Sequence, residues 1–134
     1  MANGKILYVE DNLANLALVE KILGLLDGMT MISARTAELG IEMAREHQPD
    51  IIILDINLPG ISGIEALKLL RSYQETKDTP IIAMTASATK KDLEEGLTAG
   101  FDTYMTKPID VADFIGLIKR IIGERDSEQR LTNS

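Results

Sequence analysis

Asp55 closes the run Ile-Ile-Ile-Leu at positions 51–54, and Pro59-Gly60 follows shortly after it. Four apolar residues, three of them β-branched, read as a strand buried on both faces, as in a parallel sheet. A carboxylate is costly to bury, and Pro-Gly turns the chain away. Asp55 is therefore held at the carboxyl end of a core strand, the edge where open α/β sheets bind their ligands. Alone it would be an ordinary strand-end acid. Three further strand-like runs change that reading: Glu10-Asp11 end the first, Thr85 ends Pro80–Thr85, and Lys107 follows Phe101–Thr106. Strands of a parallel sheet point one way, so these four ends share one edge.

Three carboxylates crowded together resist ionising unless a cation joins them. Oxygen ligands at an open edge suit Mg²⁺, which keeps several waters and prefers one or two carboxylates plus a phosphate. Mn²⁺ can stand in its place. The Thr85 hydroxyl and the Lys107 ammonium are donors able to hold oxyanions. The set accommodates a phosphoryl group between the metal, Thr85 and Lys107. With no serine or cysteine beside a base, Asp55 is the natural nucleophile. The residues describe an aspartyl-phosphate site.

The elements that must bring these residues together follow from periodicity. Leu13, Leu16, Val19, Leu23 and Leu26 recur at three- and four-residue intervals, as on an amphipathic helix packed on a sheet. Met29–Ala34 is a weaker strand suited to a place near an edge. Ala37, Ile41 and Ala44 mark a second helix that stops before Gln48-Pro49. Ser62 and Glu65 fit a capping box for a third helix, reaching to about Tyr73. Thr89 and Asp92 fit another, for a helix ending at Gly100. Asp110 and Asp113 open a fifth, whose face carries Phe114, Leu117, Ile118 and Ile121. Five alternating strand–helix units imply an α/β fold, a doubly wound parallel sheet with helices on both faces. The units are too few and too closely spaced for an eight-fold barrel.

The 134 residues make one domain, spanning 1–122, with a polar tail at 123–134 expected to fray. The chain holds no cysteine, which excludes disulfides, thiol nucleophiles and cysteine metal sites. No apolar run approaches the roughly 20 residues of a membrane span. The start of the chain is unlike a signal peptide, so the cytoplasm is the simplest compartment. A net charge of −7 disfavours nucleic acid, whose binding depends on neutralising phosphates.

From about Lys5 to Ile122 the chain resembles the receiver domain of response regulators in two-component signalling. Val-Glu-Asp-Asn at 9–12 is similar to the family's acidic pair. Leu-Asp-Ile-Asn-Leu-Pro-Gly at 54–60 is similar to its phospho-acceptor strand and exit loop. Met-Thr-Ala at 84–86 resembles the switch hydroxyl, and Tyr-Met-Thr-Lys-Pro at 104–108 the switch aromatic and the lysine. The resemblance implies a flavodoxin-like sheet of order two-one-three-four-five with five helices. It implies that Asp55 takes a phosphoryl group from a histidine kinase, a histidine phosphotransfer protein or a small phosphodonor. Asp11, Asp55 and the carbonyl of Asn57 would bind Mg²⁺ directly, with Glu10 acting through water. Thr85 and Lys107 would contact phosphoryl oxygens. Phosphorylation would draw Thr85 inward and let Tyr104 turn into the vacated space. That movement would reshape the face of the fourth helix, fifth strand and fifth helix for a downstream protein. A phosphorylation-dependent homodimer is compatible with such a face. The Lys107–Pro108 bond is expected to match the family's cis form. Glu10 stands where the family more often has Asp, and Ser62 where an acid is frequent.

Tyr104 taken alone is as readily a core aromatic. His47, near the end of the second helix, complements the helix dipole and has no catalytic partner. Asn57 and Ser87, small and polar beside the site, leave water a path and imply a phosphoryl group of ordinary lifetime. About a dozen polar residues follow the fifth helix, so the expectation is a stand-alone receiver rather than one joined to an effector. A receiver fragment of a hybrid histidine kinase is the first alternative. The alternative from another class is a phosphohydrolase working through an aspartyl phosphate, which resembles this chain in nucleophile, Mg²⁺ and lysine. Such enzymes want an acid two residues after the nucleophile, where Asn57 stands, and a cap for which this chain has no insertion.

Overall fold

Strand and helix alternate throughout the computed structural model, which describes residues 4–86 and 89–133. The elements are β1 (Gly4–Val9), α1 (Leu13–Leu23), β2 (Met29–Ala34), α2 (Ala37–His47), β3 (Ile51–Asp55), α3 (Gly63–Ser72), β4 (Ile81–Thr85), α4 (Lys90–Ala99), β5 (Thr103–Thr106) and α5 (Val111–Asn133). The sheet order is β2-β1-β3-β4-β5, and every neighbouring pair is parallel. This is the doubly wound, flavodoxin-like α/β arrangement expected from the sequence. The register aligns the functional ends: Val9 lies opposite Leu54, Asp55 opposite Met84, and Thr85 opposite Thr106. The residues that close β1, β3 and β4, or follow β1 and β5, therefore meet at one edge.

Side chains alternate across the sheet with period two, and each face builds its own core. Ile6, Tyr8, Ile53 and Met84 pack with Leu16 and Val19 of α1 and with Phe114 and Ile118 of α5. Leu7, Val9, Ile52 and Leu54 pack with Ala37, Ile41 and Ala44 of α2 and with Leu67 and Leu70 of α3. The central strands β3 and β4 are buried at every position, whereas the outer strands β2 and β5 are mixed. A continuous apolar run and an alternating one thus mark centre and edge.

Local chemistry sets the helix ends. The side chains of Asn12, Thr36, Ser62 and Asp110 accept from the amides of Asn15, Leu39, Glu65 and Asp113 at 2.9–3.1 Å, satisfying donors that open a helix. Gly60 sits at φ +100°, the left-handed turn conformation that Pro59-Gly60 announced. The Asp92 half of the second capping box lies outside the described side chains. The Arg71 guanidinium, at the end of α3, donates to the carbonyls of Thr79 (2.6 Å) and Gly100 (3.1 Å) and to Asp102 Oδ2 (2.9 Å). Asp102 Oδ2 also accepts the Ile81 amide at 2.7 Å. One cation thereby ties down the connections that flank β4 and lead into β5, the strands that carry Thr85 and Lys107.

Two boundaries differ from expectation. The fifth strand begins at Thr103 rather than Phe101, because Phe101 turns its ring into the α2–α3 core instead. The backbone stays helical through the polar segment after Gly123, to Asn133. The expected frayed tail is thus a continuation of α5. Gly123 alone does not stop a run otherwise made of helix formers such as Glu124, Arg125, Glu128 and Gln129. Among the described residues, no helix is long and apolar enough to cross a membrane.

Candidate functional site

Four of the predicted site residues converge at the carboxyl edge of the sheet. Glu10 and Asp11 leave β1, Asp55 ends β3, and Lys107 follows β5. Glu10 and Asp55 are buried, and Asp11 is exposed. One carboxylate oxygen from each acid lies within 4.8 Å of the other two. Lys107 stands over this group, its Nζ 2.8 Å from Asp55 Oδ2 and 3.0 Å from Glu10 Oε2. Lys107 pairs with two of the three acids, Glu10 and Asp55, so three carboxylates face a single ammonium and the site carries uncompensated negative charge. Two buried acids beside one exposed acid, with a surplus of negative charge, suit a hard divalent cation that retains water, as Mg²⁺ does.

Asp55 is held at both oxygens. Oδ2 accepts from Lys107, and Oδ1 accepts the backbone amide of Asn57 at 2.8 Å. The carboxylate cannot rotate freely, and its orientation is fixed before any ligand arrives. Thr85 is buried at the end of β4, and its carbonyl accepts the Lys107 amide at 2.8 Å. This backbone bond seats Lys107 beside Thr85, and the following Lys107–Pro108 peptide is cis as expected. Asn57 Oδ1 accepts the amide of Ala86, which joins the exit of β3 to the exit of β4. Ser87 lies outside the described residues.

Tyr104 is the predicted residue that stands apart from the acids. It is 37% exposed and borders a cavity of about 210 Å³ also lined by Ala83, Thr85, Leu93, Gly96 and Phe101. Thr85 therefore has the acidic cluster on one side and an apolar space on the other.

Two contributors escaped the sequence reading. Tyr8, fully buried, donates its hydroxyl to Glu10 Oε2 at 3.1 Å. Asn15, one turn into α1, donates Nδ2 to Glu10 Oε1 at 3.4 Å. The Asn12 amide adds a third donor at 3.2 Å. The available signal was strand period: Glu10 stands two residues after Tyr8, just past the end of β1, where period two continued would bring both to one side. Tyr8 was unremarkable because an aromatic there looks like core.

Charge shifts follow from this geometry. Burial pushes the Tyr8 hydroxyl far above the ordinary tyrosine range, and the neighbouring Glu10 adds to the effect. For Lys107 burial works against the ammonium, but hydrogen bonds and attraction from Asp55 and Glu10 outweigh it and raise its pKa. Both groups hold their protons more tightly folded than unfolded. Their contribution is complete below about pH 10, where unfolded tyrosine and lysine begin to titrate, and declines above it. Urea midpoints should therefore stay level through neutral pH and fall from about pH 10 upward. Tyr8→Phe should flatten that alkaline fall; an unchanged slope would contradict the assignment.

Comparison with known proteins agrees with this geometry. The response regulator receiver domain family matches residues 6–119. The polar-differentiation response regulator DivK of Brucella ovis is 39% identical over 119 residues, covering 89% of this chain and 96% of DivK. The receiver domain of sensor histidine kinase PA1611 from Pseudomonas aeruginosa, solved with a magnesium ion coordinated in its active site cleft, superposes with a TM-score of 0.81 at 33% identity. It covers 91% of this chain and 99% of its own. A CheY-like receiver domain protein from Methanospirillum hungatei gives a TM-score of 0.84 at 28% identity, covering 94% and 98%. With the acidic edge, the sheet order and the matched span in agreement, this chain belongs to the response regulator receiver domain family.

Proposed function

We propose that this chain is a response regulator receiver that accepts a phosphoryl group on Asp55 in a Mg²⁺-dependent reaction. The observation that carries the reading is the Asp55 carboxylate, buried, oriented at both oxygens and paired with Lys107 beside two further acids. An Asp55 oxygen attacks phosphorus of a phosphohistidine. The P–O bond forms as the P–N bond breaks, and the departing imidazole keeps the bonding pair. Asp11, Asp55 and the Asn57 carbonyl would hold the metal, Mg²⁺ or Mn²⁺, which when bound would supply positive charge against the phosphoryl oxygens. Glu10, already engaged by several donors, acts on the metal through water. Lys107 and the Thr85 hydroxyl bind phosphoryl oxygens. That the PA1611 receiver holds a magnesium ion in its active site cleft supports a metal at this edge.

The donor is a histidine kinase or a histidine phosphotransfer protein. Signalling rather than turnover is favoured because Asn57 stands two residues after the nucleophile, where an amide has no proton to give a leaving group. Its side chain is already engaged by the Ala86 amide. Output runs through the cavity beside Thr85. As Thr85 moves toward the phosphoryl group, the half-exposed Tyr104 ring turns into that apolar space. The α4–β5–α5 face, with Leu97, Tyr104 and Val111 exposed, then changes for a downstream protein or a second copy. Neither nucleic acid nor membrane is a partner in this reading, consistent with the net charge of −7.

Incubation with acetyl phosphate and Mg²⁺, followed by intact mass, tests the proposal. A single added phosphoryl group that disappears when the metal is chelated is the expected result. An unchanged mass in Mg²⁺, or equal labelling in chelator, would overturn it.

A further inference from the structure

Glu10 is unusual in how fully it is held. Its carboxylate is 1% exposed, yet it receives the Tyr8 hydroxyl, the Asn12 amide, the Asn15 side-chain amide and the Lys107 ammonium. A buried acid with this many donors is pinned, and what it pins in turn is Lys107, whose other partner is Asp55. Tyr8 is the deepest of these donors and the only one rooted in the sheet core. It packs between α1 and α5, with its neighbours Ile6, Ile53 and Phe114 also buried. Its ring cannot move without disturbing that core, so its hydroxyl is a fixed post for Glu10.

We propose that Tyr8 is a positioning residue for phosphotransfer: its buried hydroxyl fixes Glu10, and Glu10 aims the Lys107 ammonium at Asp55. The inference rests on the reading of Asp55 as phospho-acceptor and adds the chain Tyr8–Glu10–Lys107–Asp55 to it. It also accounts for glutamate at position 10. Tyr8 lies in β1 and Glu10 just beyond its end, two residues apart, and their side chains meet at 3.1 Å. The extra methylene of Glu10 lets one carboxylate touch the Tyr8 hydroxyl and Lys107 together. An aspartate there would be shorter by one carbon and could not span both.

The test compares wild type, Tyr8→Phe, Glu10→Asp and the double variant, each phosphorylated by acetyl phosphate at saturating Mg²⁺ and donor. Tyr8→Phe removes one oxygen and keeps the ring, so the fold is retained. Loss of an outer hydrogen-bond partner at such sites typically costs tenfold or more, so the maximal rate should fall roughly tenfold in Tyr8→Phe. Donor KM should change little. In the Glu10→Asp background the same substitution should alter the rate less than about twofold, because the contact it removes is already gone. An equal loss in both backgrounds would mean that the hydroxyl acts through packing, and no loss in either would mean that it has no role. Both results overturn the proposal. A metal-free readout stands beside the rate: Tyr8→Phe should shift the NMR signals of the Asn12 amide and the Asn15 side-chain amide, which share Glu10. Their remaining in place would count equally against it. Absence of any adduct on the wild type would instead remove the underlying phospho-acceptor reading, so the two failures are told apart.

Discussion

Lys107→Met is expected to slow phosphorylation by acetyl phosphate by about a hundredfold to a thousandfold, the usual loss when one preorganised donor to a developing anion is removed. Lys107 is the only cation bonded to the acidic group among the described residues, with Asp55 at 2.8 Å and Glu10 at 3.0 Å. Methionine keeps most of the stem and removes both the charge and the donor. Stability should fall as well, by roughly 1–3 kcal/mol, the cost of depriving buried acceptors of a partner. The loss is limited because Glu10 keeps Tyr8, Asn12 and Asn15 as donors. Mg²⁺ should bind more tightly, since the cation that competes for the same acids is gone. Single-turnover rates, urea midpoints and calorimetric titration with Mg²⁺ check the three parts. A variant phosphorylated at the wild-type rate would show that Lys107 is a structural counterion only.

Asp55→Asn has the opposite thermodynamic sign with an equally large functional effect. Phosphorylation should be abolished, because the amide oxygen is a poor nucleophile and the neighbouring acids are otherwise engaged or aimed: Glu10 is bonded at both oxygens by Tyr8, Asn12, Asn15 and Lys107, and Asp11 is exposed. Folding stability without metal should be equal to or above wild type. Asp55 is repelled by two neighbouring carboxylates and attracted by one ammonium, so the two effects largely offset each other. Relief from burying the Asp55 carboxylate then favours the amide. Stabilisation by Mg²⁺ should shrink, since one of the acids that faces the metal is neutral. A thermal melt with and without Mg²⁺ reads this directly. Strong destabilisation of Asp55→Asn in the absence of metal would mean that the carboxylate serves the fold rather than the chemistry.

The sequence carried the fold because burial leaves a period in it. Ile51–Leu54 is apolar without interruption and became a central strand, whereas Met29–Ala34, with Thr30 and Ser33, became an edge. The acidic site was legible for the same reason: parallel strands bring their carboxyl ends together whatever their order, so Glu10, Asp11, Asp55 and Lys107 needed only the strand assignments. What escaped was the support behind them. Tyr8 occupies a core position, and nothing in an apolar strand reveals that one ring carries its hydroxyl to a carboxylate two residues on. The start of β5 was misplaced because Phe101 continues an apolar pattern into a segment where its ring serves the opposite core. The helical course beyond Gly123 was hidden because α5 loses its apolar face there while keeping helix-forming residues.

The most direct test of the account is to locate the phosphoryl group. After labelling with acetyl phosphate and Mg²⁺, borohydride reduction converts an acyl phosphate at aspartate to homoserine, and peptide mass spectrometry reads its position. The account predicts the change at Asp55 alone. A label on His47, on a hydroxyl residue or on Asp11 would contradict it.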